Sequence, residues 1–146
     1  MPVSSRLSTS GGPVNQTDIG GASPVLIVRN VPATLAFYRD MLGFEVTFEG
    51  PEPDDIFFGI VQRGRAMLMF KDVEIDPVPN RMRDIGHGVA GWDAYFFVHD
   101  PEALADEFAM RDVEFFRSLQ VNHDNLLGFE IEDPNGYILF FGRPNR

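Results

Sequence analysis

The sequence predicts an α+β fold in which a unit of one strand, one helix and three further strands occurs twice. Short apolar runs that suit strands surround two helical segments, and each helical segment opens with Asn or Asp followed by proline. The last hairpin of the chain has a counterpart in the first half. A chain of 146 residues with 44% hydrophobic content can build one sizeable core, so we expect a single domain over residues 22–146.

The first half begins with an apolar strand and a capped helix. Asn30 and Pro32 are typical of a helix start, and Gly43 is typical of the residue just past a helix end. We predict a strand at 24–29, a helix between those signals, a strand at 44–48, a loop at 50–55, and a hairpin of strands 56–61 and 66–70 that turns at Gly64.

The second half repeats this order after a connection at 72–91. Asp100 and Pro101 predict the helix start, and the Asp133–Gly136 segment predicts a hairpin with a two-residue turn. Val28 matches Val98 and Gly64 matches Gly136. We predict a strand at 94–99, the helix, a strand at 112–116, a loop at 121–125 and a hairpin at 127–142. The alternative is a pair of unrelated strand–helix pieces.

Composition excludes several function classes. The formal net charge is −10, which disfavours nucleic acid as a partner because phosphate binding needs basic patches. No apolar run approaches the ~20 residues that span a bilayer, so no membrane partner is expected. The absence of cysteine suits a reducing cytoplasm. Residues 1–21 are rich in Ser, Gly and Thr and are expected to form a disordered tail without a leader function.

Two motifs carry a resemblance to a known family. The Phe37–Phe44 run, FYRDMLGF, and the Glu132–Tyr137 run, EDPNGY, resemble the vicinal oxygen chelate superfamily, which includes glyoxalase I, bleomycin resistance proteins and extradiol dioxygenases. The resemblance covers roughly residues 23–144. It implies two βαβββ modules, at about 23–71 and 92–143, whose strands form a curved mixed sheet. It also implies a homodimer in which the partner completes each cup.

The resemblance also indicates which positions would hold a metal ion. Metal-dependent members place four His, Glu or Gln ligands on the cup, at positions that map here onto Ser23, Met69, Asp93 and Phe140. Asp93 alone is a convincing donor for a divalent ion, and a shift of one residue does not improve the set. The histidines, His87, His99 and His123, are scattered and lack metal-ligand spacing. We therefore expect no metal, no cofactor and no catalytic residue.

Strand alternation divides the apolar residues into two faces. One face is predicted to pack under the helices: Leu26, Val28, Leu68, Phe70, Phe96, Val98, Leu139 and Phe141. The predicted ligand-binding residues lie on or beside the other face: Ile27, Met67, Met69, Trp92, Asp93, Tyr95, Phe97, Ile138 and Phe140. Ordinary core packing is the alternative for this second face. For Asp93 the alternative is a strand-start residue bonded to nearby backbone.

The function predicted from these observations is binding without catalysis. We expect a metal-free small-molecule-binding protein of the glyoxalase/bleomycin resistance type. It would sequester an amphipathic ligand in an aromatic cup at a dimer interface, as antibiotic-sequestering relatives do. The acidic net charge is explained by solubility alone or, alternatively, by attraction of a cationic ligand. The alternatives are an enzyme of the same superfamily, a lyase, isomerase or dioxygenase, and a dimerising scaffold with a filled cup. The enzyme would have an atypical metal site or none, with Asp93 and Tyr95 as its acid–base pair.

Overall fold

The computed structural model describes residues 14–83 and 91–146, and it contains two modules of the same element order. The first module comprises β1 (Val25–Ile27), α1 (Val31–Asp40), β2 (Glu45–Glu52), β3 (Asp55–Arg63) and β4 (Ala66–Lys71). The second comprises β5 (Ala94–Phe97), α2 (Pro101–Met110), β6 (Arg117–Val121), β7 (Leu126–Glu132) and β8 (Ile138–Pro144). A short 3₁₀ helix, Asn80–Arg83, lies in the connection. His87 lies outside the described residues.

The two sheets have the same topology, which confirms the predicted repeat. Their strand orders are β1-β4-β3-β2 and β5-β8-β7-β6, and in each sheet the first pair is parallel and the others are antiparallel. The matched valines occupy equivalent places: Val28 N–H donates to the carbonyl of Lys71 and Val98 N–H to that of Gly142, at 3.0 and 2.9 Å. The α+β class with two βαβββ modules is therefore confirmed.

Both helices begin where their caps predict. The Asn30 side chain accepts from the Ala33 N–H at 2.9 Å, and the Asp100 side chain accepts from the Ala103 N–H at 3.0 Å. Each bond satisfies one of the amide groups that a helix start leaves without an intrahelical partner. Gly43 follows the end of α1 with φ +72°, a conformation that favours glycine.

The core lies between the helices and the sheets and is shared by both modules. Tyr38 of α1 packs on Phe44 and Phe70, and Phe44 contacts Phe96 of the second module. The predicted helix-facing residues are buried or pack against this core: Leu26, Val28, Leu68, Phe70, Phe96, Val98, Leu139 and Phe141. Burying a large apolar side chain contributes about 1.5–3 kcal/mol, so this layer supplies most of the driving force for folding.

Three predicted segments are wrong in detail. Residues 50–52 belong to β2 rather than to a loop, because the pairing of β2 with β3 continues to Glu52 and Asp55. The strand predicted at 112–116 lies later, at Arg117–Val121, since Asp112 adopts φ +62° in the turn that ends α2. The last hairpin has a five-residue loop, 133–137, because the Asp133 carboxylate organises the turn.

Asp133 is the buried group that joins the second module to the first. One carboxylate oxygen accepts from the N–H groups of Asn135 and Tyr137 at 2.8 and 3.0 Å, and the other accepts from the Tyr38 hydroxyl at 2.8 Å. The Tyr137 hydroxyl donates to the Ile27 carbonyl at 2.6 Å. Burial raises the Asp133 pKa, and the donated hydrogen bonds partly offset that rise. Burial and the nearby Asp133 charge raise the Tyr38 pKa well above its usual value.

A second contact joins β3 of the first module to α2 of the second. This contact and the one made by Asp133 are named the two tethers. Arg63, at the end of β3, makes a bidentate pair with Glu107 of α2 at 2.7 and 2.8 Å and donates to the Leu42 carbonyl at 2.8 Å. Arg111 also donates to Glu107, at 3.0 Å. A Cβ at Gly43 would lie 2.8 Å from the Arg63 guanidinium, so a larger residue at this position would displace the ion pair. The β3–β4 hairpin and the β7–β8 hairpin are the central hairpins of their sheets. The first therefore contacts α2, and the second contacts α1.

We expect Tyr38→Phe to destabilise the protein by about 1–3 kcal/mol, because it removes a donor from a buried carboxylate. Urea unfolding measures the effect, and a double-mutant cycle with Asp133→Asn isolates the coupling. Tyr95→Phe is the matched control, since that tyrosine is exposed. A Tyr38→Phe variant as stable as Tyr95→Phe would contradict this role for the Asp133 bond.

The two tethers are expected to respond to pH with opposite signs. Arg63 hydrogen bonding lowers the Glu107 pKa, so this pair stabilises the fold above the unfolded pKa of about 4.3 and its contribution is lost as pH falls through the folded value. The raised Asp133 pKa has the reverse effect: its contribution is present below about pH 3.9 and is lost as pH rises through the folded value.

Unfolding free energies of the wild type, Glu107→Gln and Asp133→Asn between acidic and neutral pH test both signs. The advantage of the wild type over Glu107→Gln should shrink on acidification, by less than about 1 kcal/mol because the pair is about a third exposed. The stability of the wild type relative to Asp133→Asn should fall as pH rises. If the stability of the wild type and of one variant changes with pH in parallel, the sign assigned to that carboxylate is wrong.

Candidate functional site

The side of each sheet that faces away from the helices, here named the helix-free face, carries most of the residues that were predicted to bind a ligand. Tyr95 and Phe140 are register partners across β5 and β8, and Trp92 precedes β5. Trp92 stacks on Phe140 with ring centroids 4.2 Å apart, and Tyr95 lies 5.7 Å from Trp92 and 5.2 Å from Phe140. The structure brings these three rings together, and we name them the aromatic wall.

Phe140 is the buried base of the aromatic wall. It is 2% exposed, and its ring lies over two glycines in the neighbouring backbone. A Cβ at Gly128 would lie 2.5 Å from the ring, and one at Gly142 would lie 2.7 Å from it. Trp92 covers the opposite side of the ring. The more accessible surface of the wall is therefore that of Tyr95, which is 44% exposed.

Glu130 is a site residue that the sequence reasoning missed. It is the register partner of Phe140, and its side chain is 13% exposed. The Trp92 indole N–H donates to Glu130 Oε2 at 3.0 Å. The register of the β7–β8 hairpin identifies this residue, because a residue directly opposite Phe140 lies on the same face of the sheet.

Two arginines and one further aromatic ring extend this face. Arg117 of β6 places its Nε 3.4 Å from Glu130 Oε1, and Arg81 of the connection donates to Glu132 at 2.6 Å. Both guanidinium groups lie near the ring of Phe116, at 5.7 and 5.4 Å from its centroid. The face thus combines aromatic rings, carboxylates and arginines.

Asp93 has backbone partners for both carboxylate oxygens. Oδ1 accepts from the Asn80 N–H and Oδ2 from the Ile138 N–H, each at 2.8 Å. The Asn80 side chain also donates to the Trp92 carbonyl at 2.9 Å. These bonds anchor the connection beside the start of β5 and hold Trp92 in place. They match the alternative interpretation of Asp93 as a strand-start residue.

The remaining predicted residues are distributed over two cavities and the sheet surface. A cavity of about 900 Å³ lies between the modules and is bordered by Met67, Tyr95 and Phe97. A smaller one of about 270 Å³ is bordered by Ile27 and Asp93. Tyr95 is therefore the residue that links the larger cavity to the aromatic wall.

Met69 and Ile138 complete the predicted set. Met69 is partly buried and pairs with Val25 and Ile60, whereas Ile138 is buried at 3% exposure. Ile138 pairs with Glu132, so it belongs to the helix-free face of the second sheet. The predicted residues therefore lie on two sheets, and the structure does not bring all of them into one pocket.

Three of the four positions that correspond to metal ligands in metal-dependent relatives do not fit a divalent ion. Phe140 is covered by Trp92, Met69 offers a thioether, and both oxygens of Asp93 accept from backbone amides. Such ions need several nitrogen or oxygen donors with free lone pairs. Within residues 14–83 and 91–146, no three His, Asp or Glu side chains converge.

The fold of the chain is similar to the folds of several solved proteins. The chain aligns with a bleomycin-binding protein from bleomycin-producing Streptomyces verticillus, solved with copper(II)-bleomycin, at 27% identity and a TM-score of 0.65, covering 90% of this chain and 100% of that one. A bleomycin resistance determinant encoded on transposon Tn5 aligns at 21% identity and a TM-score of 0.64, with 89% and 100% coverage. A glyoxalase-family protein from Bacillus anthracis has 14% identity and a TM-score of 0.65, with 91% and 100% coverage.

The family model settles the membership. The model described as the Glyoxalase/Bleomycin resistance protein/Dioxygenase superfamily matches residues 21–141, so the chain belongs to this superfamily. No curated protein sequence matches the chain. Among the described residues, no helix is long and apolar enough to cross a bilayer.

Proposed function

We propose that this protein is a metal-free binding protein that sequesters an amphipathic, cationic small molecule at the aromatic wall. The observation that carries the proposal is the contact between Trp92 and Glu130, which places a shielded carboxylate beside stacked rings. Aromatic faces attract organic cations, and a carboxylate with few water contacts strengthens that attraction. The similarity to a bleomycin-binding protein at 27% identity supports binding of a small molecule.

The proposal includes a homodimer that completes the site. Ligand sites bury most of their ligand, and one open sheet face cannot do so. Both helix-free faces also leave apolar residues exposed, including Val25 at 54% in the first module and Phe97 at 53% in the second. Exposed apolar patches of this kind are typical of interfaces. We propose that the first module of a second copy covers the aromatic wall.

Sequestration requires affinity and no bond-making step, and the local chemistry agrees with that requirement. A general base needs a carboxylate oxygen that is free to reach a substrate proton. Asp93, the one carboxylate predicted for such a role, directs both oxygens at backbone amides. The cytoplasm is the proposed location, because a chain without cysteine gains nothing from an oxidising compartment.

Trp92 is the single tryptophan in the sequence, so its fluorescence reports on the proposed site directly. Titration with planar aromatic cations should quench or shift its emission, and the same ligands should raise the thermal midpoint. Tyr95→Ala should weaken binding roughly tenfold, because it removes the accessible ring of the wall. Met110→Ala, an exposed change on α2, is the control and should leave affinity unchanged.

Two results would contradict this function. One is a broad screen of aromatic cations that neither changes Trp92 emission nor raises the midpoint. The other is a stoichiometric transition ion in the purified protein together with turnover of a hemithioacetal or a catechol, which would support the enzyme alternative. Analytical ultracentrifugation tests the dimer, and a monomer at micromolar concentration would refute that part.

A further inference from the structure

The helix-free face of the second sheet already binds cations that belong to the chain itself. Arg81 contacts the Glu132 carboxylate and the Phe116 ring, and Arg117 contacts the Glu130 carboxylate and the same ring. Each guanidinium therefore lies between a carboxylate and an aromatic surface. This is the environment that favours an organic cation from solution as well.

The two arginines are held with different strength. Arg81 donates to Glu132 at 2.6 Å and its side chain is 32% exposed, whereas Arg117 lies 3.4 Å from Glu130 and is 64% exposed. Charge-assisted hydrogen bonds are about 2.7–2.9 Å long, so the Arg117 contact is weak. A weak contact of an exposed, flexible side chain can be exchanged at little cost.

Glu130, in contrast, is held in its position. Its Oε2 accepts from the Trp92 indole N–H, and little of its side chain reaches water. The other oxygen, Oε1, faces Arg117. A carboxylate that is largely removed from water is costly without a positive partner, so whatever displaces Arg117 must bring a positive charge.

We propose that Glu130 is the counter-ion of the ligand's positive group and that Arg117 is a resident cation that the ligand displaces. This inference rests on the proposed function and assigns the ligand class: flat aromatic molecules with a positively charged nitrogen at the edge of the ring system. The rings stack against the aromatic wall, and the charged nitrogen takes the place of the Arg117 guanidinium at Oε1. Arg117 then acts as a competitor that sets the affinity.

Two probes of the same shape test the role of charge: N-methylquinolinium, a cation, and 1-methylnaphthalene, its neutral isostere. Calorimetric titration of the full-length protein should show tighter binding of the cation. Glu130→Gln should weaken cation binding about tenfold and leave binding of the neutral probe unchanged. Arg117→Gln should tighten cation binding about threefold, because it removes the competitor. Glu102→Gln, which removes one exposed carboxylate from α2 and leaves Glu130 and Arg117 in place, is the control and should have little effect.

The outcomes separate this inference from the function on which it rests. If the wild type binds neither probe, both are overturned. If it binds both probes equally and Glu130→Gln changes neither affinity, only the counter-ion role is overturned. Should Glu130→Gln fail to fold, as judged by its thermal midpoint, Arg117→Gln decides: unchanged or weaker cation binding contradicts the proposal.

Discussion

The buried Asp133 carboxylate is the constraint on which the arrangement of the two modules depends. It organises the last hairpin turn through two backbone amides and receives the Tyr38 hydroxyl from the first module. A buried carboxylate is costly unless such donors surround it, so the bonds to both modules are required together. The reciprocal pair of Arg63 and Glu107 repeats the pattern at lower burial. Together they fix the turn ends of the two central hairpins, and with them the cavity between the modules.

The same hairpin also determines the chemistry of the helix-free face. Phe140 and Glu130 are register partners in β8 and β7, so one pair of strands supplies both the base of the aromatic wall and the carboxylate beside it. Glycines at 128 and 142 leave the space that the Phe140 ring occupies. Trp92 then covers the ring and donates to Glu130, which removes both groups from most solvent contact. A rigid apolar surface next to a charge is suited to selective binding, and no reacting group is needed for it.

Much of the fold follows from local signals in the sequence, whereas the polar part of the site depends on register. The capping residues Asn30 and Asp100 locate both helices, and strand alternation separates the core from the opposite face. Glu130 was missed because alternation along a single strand does not say which residue of a neighbour lies opposite it. Asp93 drew attention as a carboxylate on an apolar face, and its backbone partners come from Asn80 and Ile138, which are distant in sequence. The length of the last turn was underestimated because the Asp133 side chain accepts from the Asn135 and Tyr137 amides in addition to the backbone bonds that close the turn.

The most direct test of a ligand site at this wall uses the indole N–H of the single tryptophan, which is bonded to Glu130. In a proton–nitrogen correlation spectrum it gives one resonance, and its chemical shift responds to any change in that hydrogen bond or in the ring stacked beneath it. Addition of a planar aromatic cation that binds the protein should move this resonance in proportion to occupancy. If a ligand binds stoichiometrically and the Trp92 indole resonance stays in place, the site lies elsewhere and the account is wrong.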